Sequence, residues 1–241
     1  MSDRHLTAPD SRQRYSRTTM LPEIGVEGQQ RLLKASVTIV GAGALGSVCA
    51  MYLAASGVGH IRLIDFDTID LSNLQRQLSF VTADCGMPKA ETCAERIRAI
   101  NPEVEVEVIN AMLTRSNIAG LLEGSRLVME GSDNPSTKYL VTDTAVAMGI
   151  PYVLGGVAQW QGQLHCWAPG HRSYRDLFPE SACEGGYLPC SVGGVLGPLP
   201  GVIGSMMACE AIKILAPAGE PLYDRLLTID TLNMNAATFR L

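Results

Sequence analysis

Ser36-Val37-Thr38-Ile39-Val40-Gly41-Ala42-Gly43-Ala44-Leu45-Gly46 is the stretch that decides the fold. Four consecutive β-branched residues, Val37 to Val40, read as a buried strand. They run into three glycines, Gly41, Gly43 and Gly46, spaced as a nucleotide-binding turn, and the apolar segment Ala44–Ser56 reads as the helix that the turn opens. Loop amides and the helix dipole at that point favour a phosphate. His60-Ile61-Arg62-Leu63-Ile64-Asp65 is the next strand, and Asp65 stands at the ~20-residue spacing of a carboxylate that accepts hydrogen bonds from ribose. The motif specifies a nucleotide without choosing among NAD, FAD, SAM and ATP. Val37 to Gly59 carries no charge and is long enough to cross a bilayer, but the glycine spacing favours strand, turn and helix, so no membrane is expected.

Outward from this unit the chain reads as α/β: a Rossmann-like, doubly wound, mostly parallel sheet extended by antiparallel strands in the C-terminal third. Gly25 to Lys34 is a helix before the first strand, behind an N-terminal arm. Lys89 to Ile100 has helical periodicity and stops at Asn101-Pro102. Glu103 to Val108 alternates as a strand with one polar face, and Arg126 to Glu130 is another. Gly131-Ser132-Asp133-Asn134 breaks that strand and caps a helix from Pro135. Further strands are expected at 150–154 and 163–167, a long loop over 169–194, a small-residue helix from Gly201 to Leu215, and closing strands at 226–230 and 237–240. No repeat or linker divides the chain, so residues 1–241 are expected to form one domain: an arm and helix (1–35), a nucleotide-binding part (36–155) and a C-terminal part (156–241).

A net charge of −5 argues against nucleic acid or an anionic membrane, either of which would call for a basic surface. The seven cysteines are odd in number, contain no CxxC pair, and follow an N-terminus without an apolar run, so free thiols in a reducing cytoplasm are expected. Cys183 and Cys190 fall in the expected loop; the other five read as buried small apolar groups.

Asp65-Phe66-Asp67 and Ser72-Asn73-Leu74-Gln75-Arg76-Gln77 carry the chemistry. A carboxylate nucleophile is already ionised at neutral pH, with a pKa near ~3.5, and needs no general base. The obstacle is charge, because an anion must approach the α-phosphorus of a polyanion. Arg76 follows the ribose-binding acid, with Asn73 and Gln77 beside it, and a helical turn over 73–77 would put these two on one face. Lys89 opens the next helix. Asp133 follows a strand end at the ligand edge of the sheet and is a candidate Mg²⁺ ligand. His5, His60, His165 and His171 lie outside these motifs.

With these motifs the chain resembles the ubiquitin-activating-type adenylating enzymes of the ThiF/MoeB/HesA family. The resemblance runs from Arg14-Tyr15-Ser16-Arg17 through Gly41–Gly46, Asp65-Phe66-Asp67, Ser72–Gln77, Pro88-Lys89 and Ser132-Asp133-Asn134 to Gly194–Pro198 and Gly201–Gly204. It implies ATP and Mg²⁺, and adenylation of the C-terminal Gly-Gly carboxylate of a small ubiquitin-like sulfur carrier protein. Gly41, Gly43, Gly46, Asp65, Asp67, Asn73, Gln77 and Asn134 would bind the nucleotide. Arg76, Lys89 and Asp133 would act at the triphosphate, with the metal on Asp133. Arg17 would be donated in trans across a homodimer, and residues 156–241 would serve carrier binding and dimerisation. Cys190 matches a cysteine that relatives join covalently to the carrier. The family usually holds a structural zinc on two CxxC pairs; the first place reads Ser173-Tyr174-Arg175-Asp176 and the second lies beyond Leu241, so no zinc is expected. Other readings are the same chemistry on a peptide terminus or a tRNA base, a nicotinamide oxidoreductase, and a dimeric scaffold without activity.

Overall fold

The computed structural model describes residues 9–179 and 193–241. Cys183 and Cys190 lie outside the described residues. The framework is one eight-stranded sheet in the order β3-β2-β1-β4-β5-β6-β7-β8. Its strands are β1 (Ser36–Val40), β2 (His60–Ile64), β3 (Glu105–Ile109), β4 (Leu127–Glu130), β5 (Tyr152–Ala158), β6 (Gln161–Trp167), β7 (Arg225–Asp230) and β8 (Asn235–Arg240). β1 to β5 are parallel, and β6 to β8 continue antiparallel.

Alternation along the parallel strands divides two cores. Val37 and Ile39 of β1 and Leu127 and Met129 of β4 point to one face, which α3 (Gly25–Lys34), α4 (Gly46–Ala55), α5 (Lys89–Ile100) and the long helix α9 (Pro198–Leu215) cover. Val40, Val128, Tyr152 and Leu154 point to the other, under α6 (Ile118–Leu122), α7 (Pro135–Met148) and α8 (Tyr174–Leu177). Parallel strands buried on both faces have no solvent side to show, which is why β1 and β4 are mostly apolar rather than alternating. α9 is, among the described residues, the one helix long and apolar enough to cross a bilayer; half of that stretch is buried within the fold, against α4, β5 and β6.

Several expected boundaries shift for local reasons. β3 starts at Glu105, not Glu103, because Asn101 and Glu103 are used to anchor the N-terminal arm. The arm itself forms two short helices, α1 (Pro9–Arg14) and α2 (Ser16–Thr19). Asn101 donates to Tyr15 Oη (2.8 Å) and to the Ala54 carbonyl (2.7 Å), and Glu103 accepts from Ser11 Oγ (2.6 Å) and Tyr15 Oη (2.9 Å). β5 begins after Pro151, which has no amide to give the ladder, and continues to Ala158 in a tight hairpin with β6. α9 begins at Pro198, the favoured place for proline, rather than at Gly201. Within the expected loop, Ser173 and Asp176 form a capping box that makes α8.

Candidate active site

The phosphate turn sits where the parallel order reverses, between β1 and β4. Gly41 has φ 84°, and a Cβ there would press on the Gly131 carbonyl and the Ser132 amide at 3.3 Å. A Cβ on Gly46 would stand 1.7 Å from the Gly41 oxygen, so only glycine lets α4 start against the turn. The turns after β1 and β4 therefore meet backbone to backbone.

Around them a cavity of about 880 Å³ collects most of the expected residues: Gly41, Gly43, Asp65, Asp67, Arg76, Gln77, Lys89, Asp133 and Asn134 line it. The Asp65 carboxylate accepts from the amides of Ala42 (2.7 Å) and Asp67 (2.8 Å). Burial raises its pKa above the ordinary value, while those amides and Lys89 pull it back. Its two oxygens keep further lone pairs for ribose hydroxyls. Lys89 is nearly buried at the start of α5 and donates to Asp67 Oδ2 at 2.9 Å. Arg76 is half-buried; its guanidinium donates to the Ser72 carbonyl at 2.9 Å and is paired with no acidic side chain among the described residues. Gln77 is 4% exposed and lies against Gly43, and its Oε1 has no partner among the described residues. An unmet buried acceptor costs ~1–3 kcal/mol, so this oxygen is suited to a ligand.

Three expected residues are not brought into the cavity lining. Asn73 closes a capping box with Asp70, accepting from its amide at 3.3 Å, which commits it to the 3₁₀ turn Leu71–Asn73. The turn does continue to Gln77, whose amide bonds the Asn73 carbonyl at 3.0 Å, but only Gln77 of that pair faces the cavity. Gly46 acts underneath, in the contact with Gly41. Arg17 is exposed on α2, outside the lining. Asn134, not Asp133, is the N-cap of α7: its side chain accepts from the Thr137 amide at 3.0 Å, and Asp133 stays exposed at the cavity.

Glu130 and Lys138 were not anticipated. Glu130 ends β4 fully buried and pairs with Lys138 at 2.5 Å. Lys138 also donates to the Gly155 carbonyl at 2.8 Å, and Ser132 donates to Glu130 through both its amide and its hydroxyl. The signal was a glutamate closing an apolar strand. Farther along the cavity, Arg175 grips Asp143 with both arms of its guanidinium and lies 4.7 Å from the Tyr139 ring centroid.

At the place of the family's first cysteine pair, Ser173 and Asp176 are tied to each other (Oγ to Oδ2, 2.8 Å) and to backbone amides. That donor set does not fit a zinc thiolate site. No cluster of three metal-ligating side chains forms among the described residues, so a hard cation held by Asp133 would need further oxygens from a ligand.

Of the five cysteines expected to be buried, Cys49, Cys93 and Cys166 are; Cys85 and Cys209 are exposed, the first just after the surface turn Thr82–Asp84 and the second on the outer face of α9. Burial raises the thiol pKa of Cys93 to about 12 and pushes those of Cys49 and Cys166 well up too, which disfavours the thiolate in all three.

A glycine turn at the switch point, with Asp65, Arg76 and Lys89 lining one cavity beside it, is the arrangement of a Rossmann-like nucleotide-binding fold. The chain belongs to the ThiF family, whose model matches residues 15–241. It is 44% identical over 225 residues to the SAMP-activating enzyme E1 of Haloferax volcanii, covering 93% of this chain and 83% of that one. It is 43% identical over 233 residues to the sulfur carrier protein adenylyltransferase of Thermus thermophilus, covering 94% and 85%. The crystal structure of Escherichia coli MccB with MccA-N7isoASN matches with a TM-score of 0.82 at 25% identity, over 94% of this chain and 72% of that one. The crystal structure of PaaA, at 21% identity and a TM-score of 0.83 over 98% and 75%, shows the same fold.

Proposed function

We propose that this chain adenylates the C-terminal Gly-Gly carboxylate of a small ubiquitin-like sulfur carrier protein with ATP, releasing pyrophosphate and readying the carboxylate for thiocarboxylate formation. It is an adenylyltransferase, and its relatives include enzymes named for sulfur carrier activation. One observation carries the reading: Asp65, Gln77, Arg76, Lys89 and Asp133, from four separate segments, line a single cavity over the phosphate turn.

The roles follow from charge and position. Asp65 accepts from the ribose hydroxyls and holds the sugar against the turn. The amides of the turn and the start of α4 receive phosphate oxygens. Arg76 and Lys89 offset the negative charge as the carboxylate meets the α-phosphorus; Lys89 must exchange Asp67 for phosphate to do so. Gln77 sets its amide Nε2 towards Gly43, and its Oε1, which has no partner among the described residues, can accept from a donor on the ligand. When bound, Mg²⁺ would neutralise charge on the phosphate oxygens, and Asp133 would be the carboxylate that holds it. A homodimer in which Arg17 reaches the partner's cavity, and a cytoplasmic setting, complete the proposal.

Exchange of labelled pyrophosphate into ATP, run with a Gly-Gly-ended carrier, a short peptide and tRNA in parallel, tests it. Carrier-dependent exchange is expected. Exchange driven only by peptide or tRNA, or by nothing, overturns the carrier assignment.

A further inference from the structure

Glu130 and Lys138 form an ion pair that is 0% and 5% exposed at the edge of the cavity. Such a pair gives little net stability over well-packed apolar residues, because desolvating two charges offsets most of their attraction. Its consequence lies in what its remaining bonds hold. One Glu130 oxygen, Oε1, accepts from both the amide and the hydroxyl of Ser132, and the other, Oε2, accepts from Lys138. Lys138 passes the tie to the Gly155 carbonyl of β5. The end of β4, the first turns of α7 and the middle of β5 are thus joined under one residue pair. On the other side of the same turn, the Gly131 amide donates to the Val40 carbonyl at 3.0 Å, and a Cβ on Gly41 would stand 3.3 Å from the Gly131 carbonyl and the Ser132 amide. Asp133 is the next residue along.

We propose that the buried Glu130–Lys138 pair is the positioning element of the Gly131–Asp133 turn, presetting Asp133 for a metal–triphosphate ligand. Neither residue is assigned contact with the reacting atoms. The inference rests on the adenylation reading for the ligand's identity, and on this chain's own contacts for the mechanism of positioning.

The test uses the full chain, Mg²⁺ and a non-hydrolysable ATP analogue, titrated calorimetrically with and without the metal, alongside thermal melts. In Lys138→Met, the gain in analogue affinity that Mg²⁺ confers is expected to shrink about tenfold, the usual loss when a metal ligand's outer support is removed, with metal-free affinity nearly unchanged. Lys138→Arg is expected to keep the gain. In carrier-dependent exchange, half-saturating Mg²⁺ should rise in Lys138→Met more than the KM for ATP. Should Lys138→Met fail to fold, Ser132→Ala decides, since it removes only the hydroxyl; about a threefold loss of metal coupling is expected for one hydrogen bond. Coupling unchanged in a folded Lys138→Met or in Ser132→Ala overturns the proposal, as does a wild type whose analogue binding ignores Mg²⁺. A wild type that binds the analogue with metal but exchanges pyrophosphate with no carrier sinks the adenylation reading instead.

Discussion

Asp65 Oδ2 accepts the Ala42 amide at 2.7 Å, so the acid that ends the β2 segment is also the brace of the phosphate turn that follows β1. Asp65→Ala removes brace and ribose acceptor together. ATP affinity is expected to fall about tenfold to a hundredfold, from the ~1–3 kcal/mol cost of leaving the buried Ala42 amide unmet. A 2′,3′-dideoxy ATP separates the two parts: the variant should lose less with it than with ATP. Equal losses in calorimetry would remove the ribose role.

Arg76→Ala takes away a half-buried cation that no carboxylate claims among the described residues. The turnover of pyrophosphate exchange is expected to drop about a hundredfold or more, the scale of losing a preorganised charge at a transition state, with a smaller change in KM for ATP. Lys89→Met should act similarly and, by leaving Asp67 unpaired beside the phosphates, also weaken ATP binding.

Gly46→Ala places a Cβ 1.7 Å from the Gly41 oxygen, so the turn or the start of α4 must shift. A loss of ~1–3 kcal/mol of stability is expected, as for other overpacked sites, together with loss of ATP binding. Gly120→Ala, in a helix with nothing within 4 Å of the added atom, serves as the neutral control in the same melts.

His165 sets an acid limit on stability. It is fully buried in β6, with Nδ1 3.3 Å from the Arg225 carbonyl and Nε2 unpartnered among the described residues. Burial lowers its pKa, with the Arg225 and Arg172 backbone and Asp224 acting the other way. The unfolded chain therefore binds more protons than the folded one below the ordinary histidine value of about 6.5, and stability falls as pH drops through that window. Chemical denaturation of wild type and His165→Gln between pH 7.5 and 5, as about the range of interest, is expected to show a shallower acid loss in the variant. Parallel curves would exclude His165 as the cause.

Mixing tests donation in trans. Arg17→Ala and Arg76→Ala homodimers should each be nearly inactive, and unfolding-free subunit exchange between them should restore part of the exchange activity by leaving one intact site per mixed dimer. No recovery, with mixed dimers shown to form, would return Arg17 to a surface charge.

The parallel half of the fold was readable because its signals are local. Val37–Val40, the glycines and Asp65 each announce themselves within a few residues, and β1 and α5 begin and end as read. What escaped depends on distance along the chain. Glu103 looked like strand because its true use, accepting from Ser11 and Tyr15, comes from residues about ninety positions away in the arm. Asn73 was expected at the nucleotide from the family resemblance, yet the structure has its side chain accepting from the amide of Asp70, three residues earlier. Lys138 was hidden because a lysine in an amphipathic helix reads as solvated surface; only the fold shows Glu130 beneath it.

The Gly131 amide donates to the Val40 carbonyl at 3.0 Å, and a Cβ added to Gly41 would stand 3.3 Å from the Gly131 carbonyl and the Ser132 amide, so the two turns leave no room for a side chain between them. Two turns in such contact have no slack to fluctuate separately. A ligand that quiets one must quiet the other, so amide hydrogen exchange at 41–46 and at 131–134 is expected to slow together on nucleotide binding, as one breathing unit. Occupancy of the phosphate end would then be felt at the base of α7, some ninety residues farther along the chain, without any part of the sheet having to move.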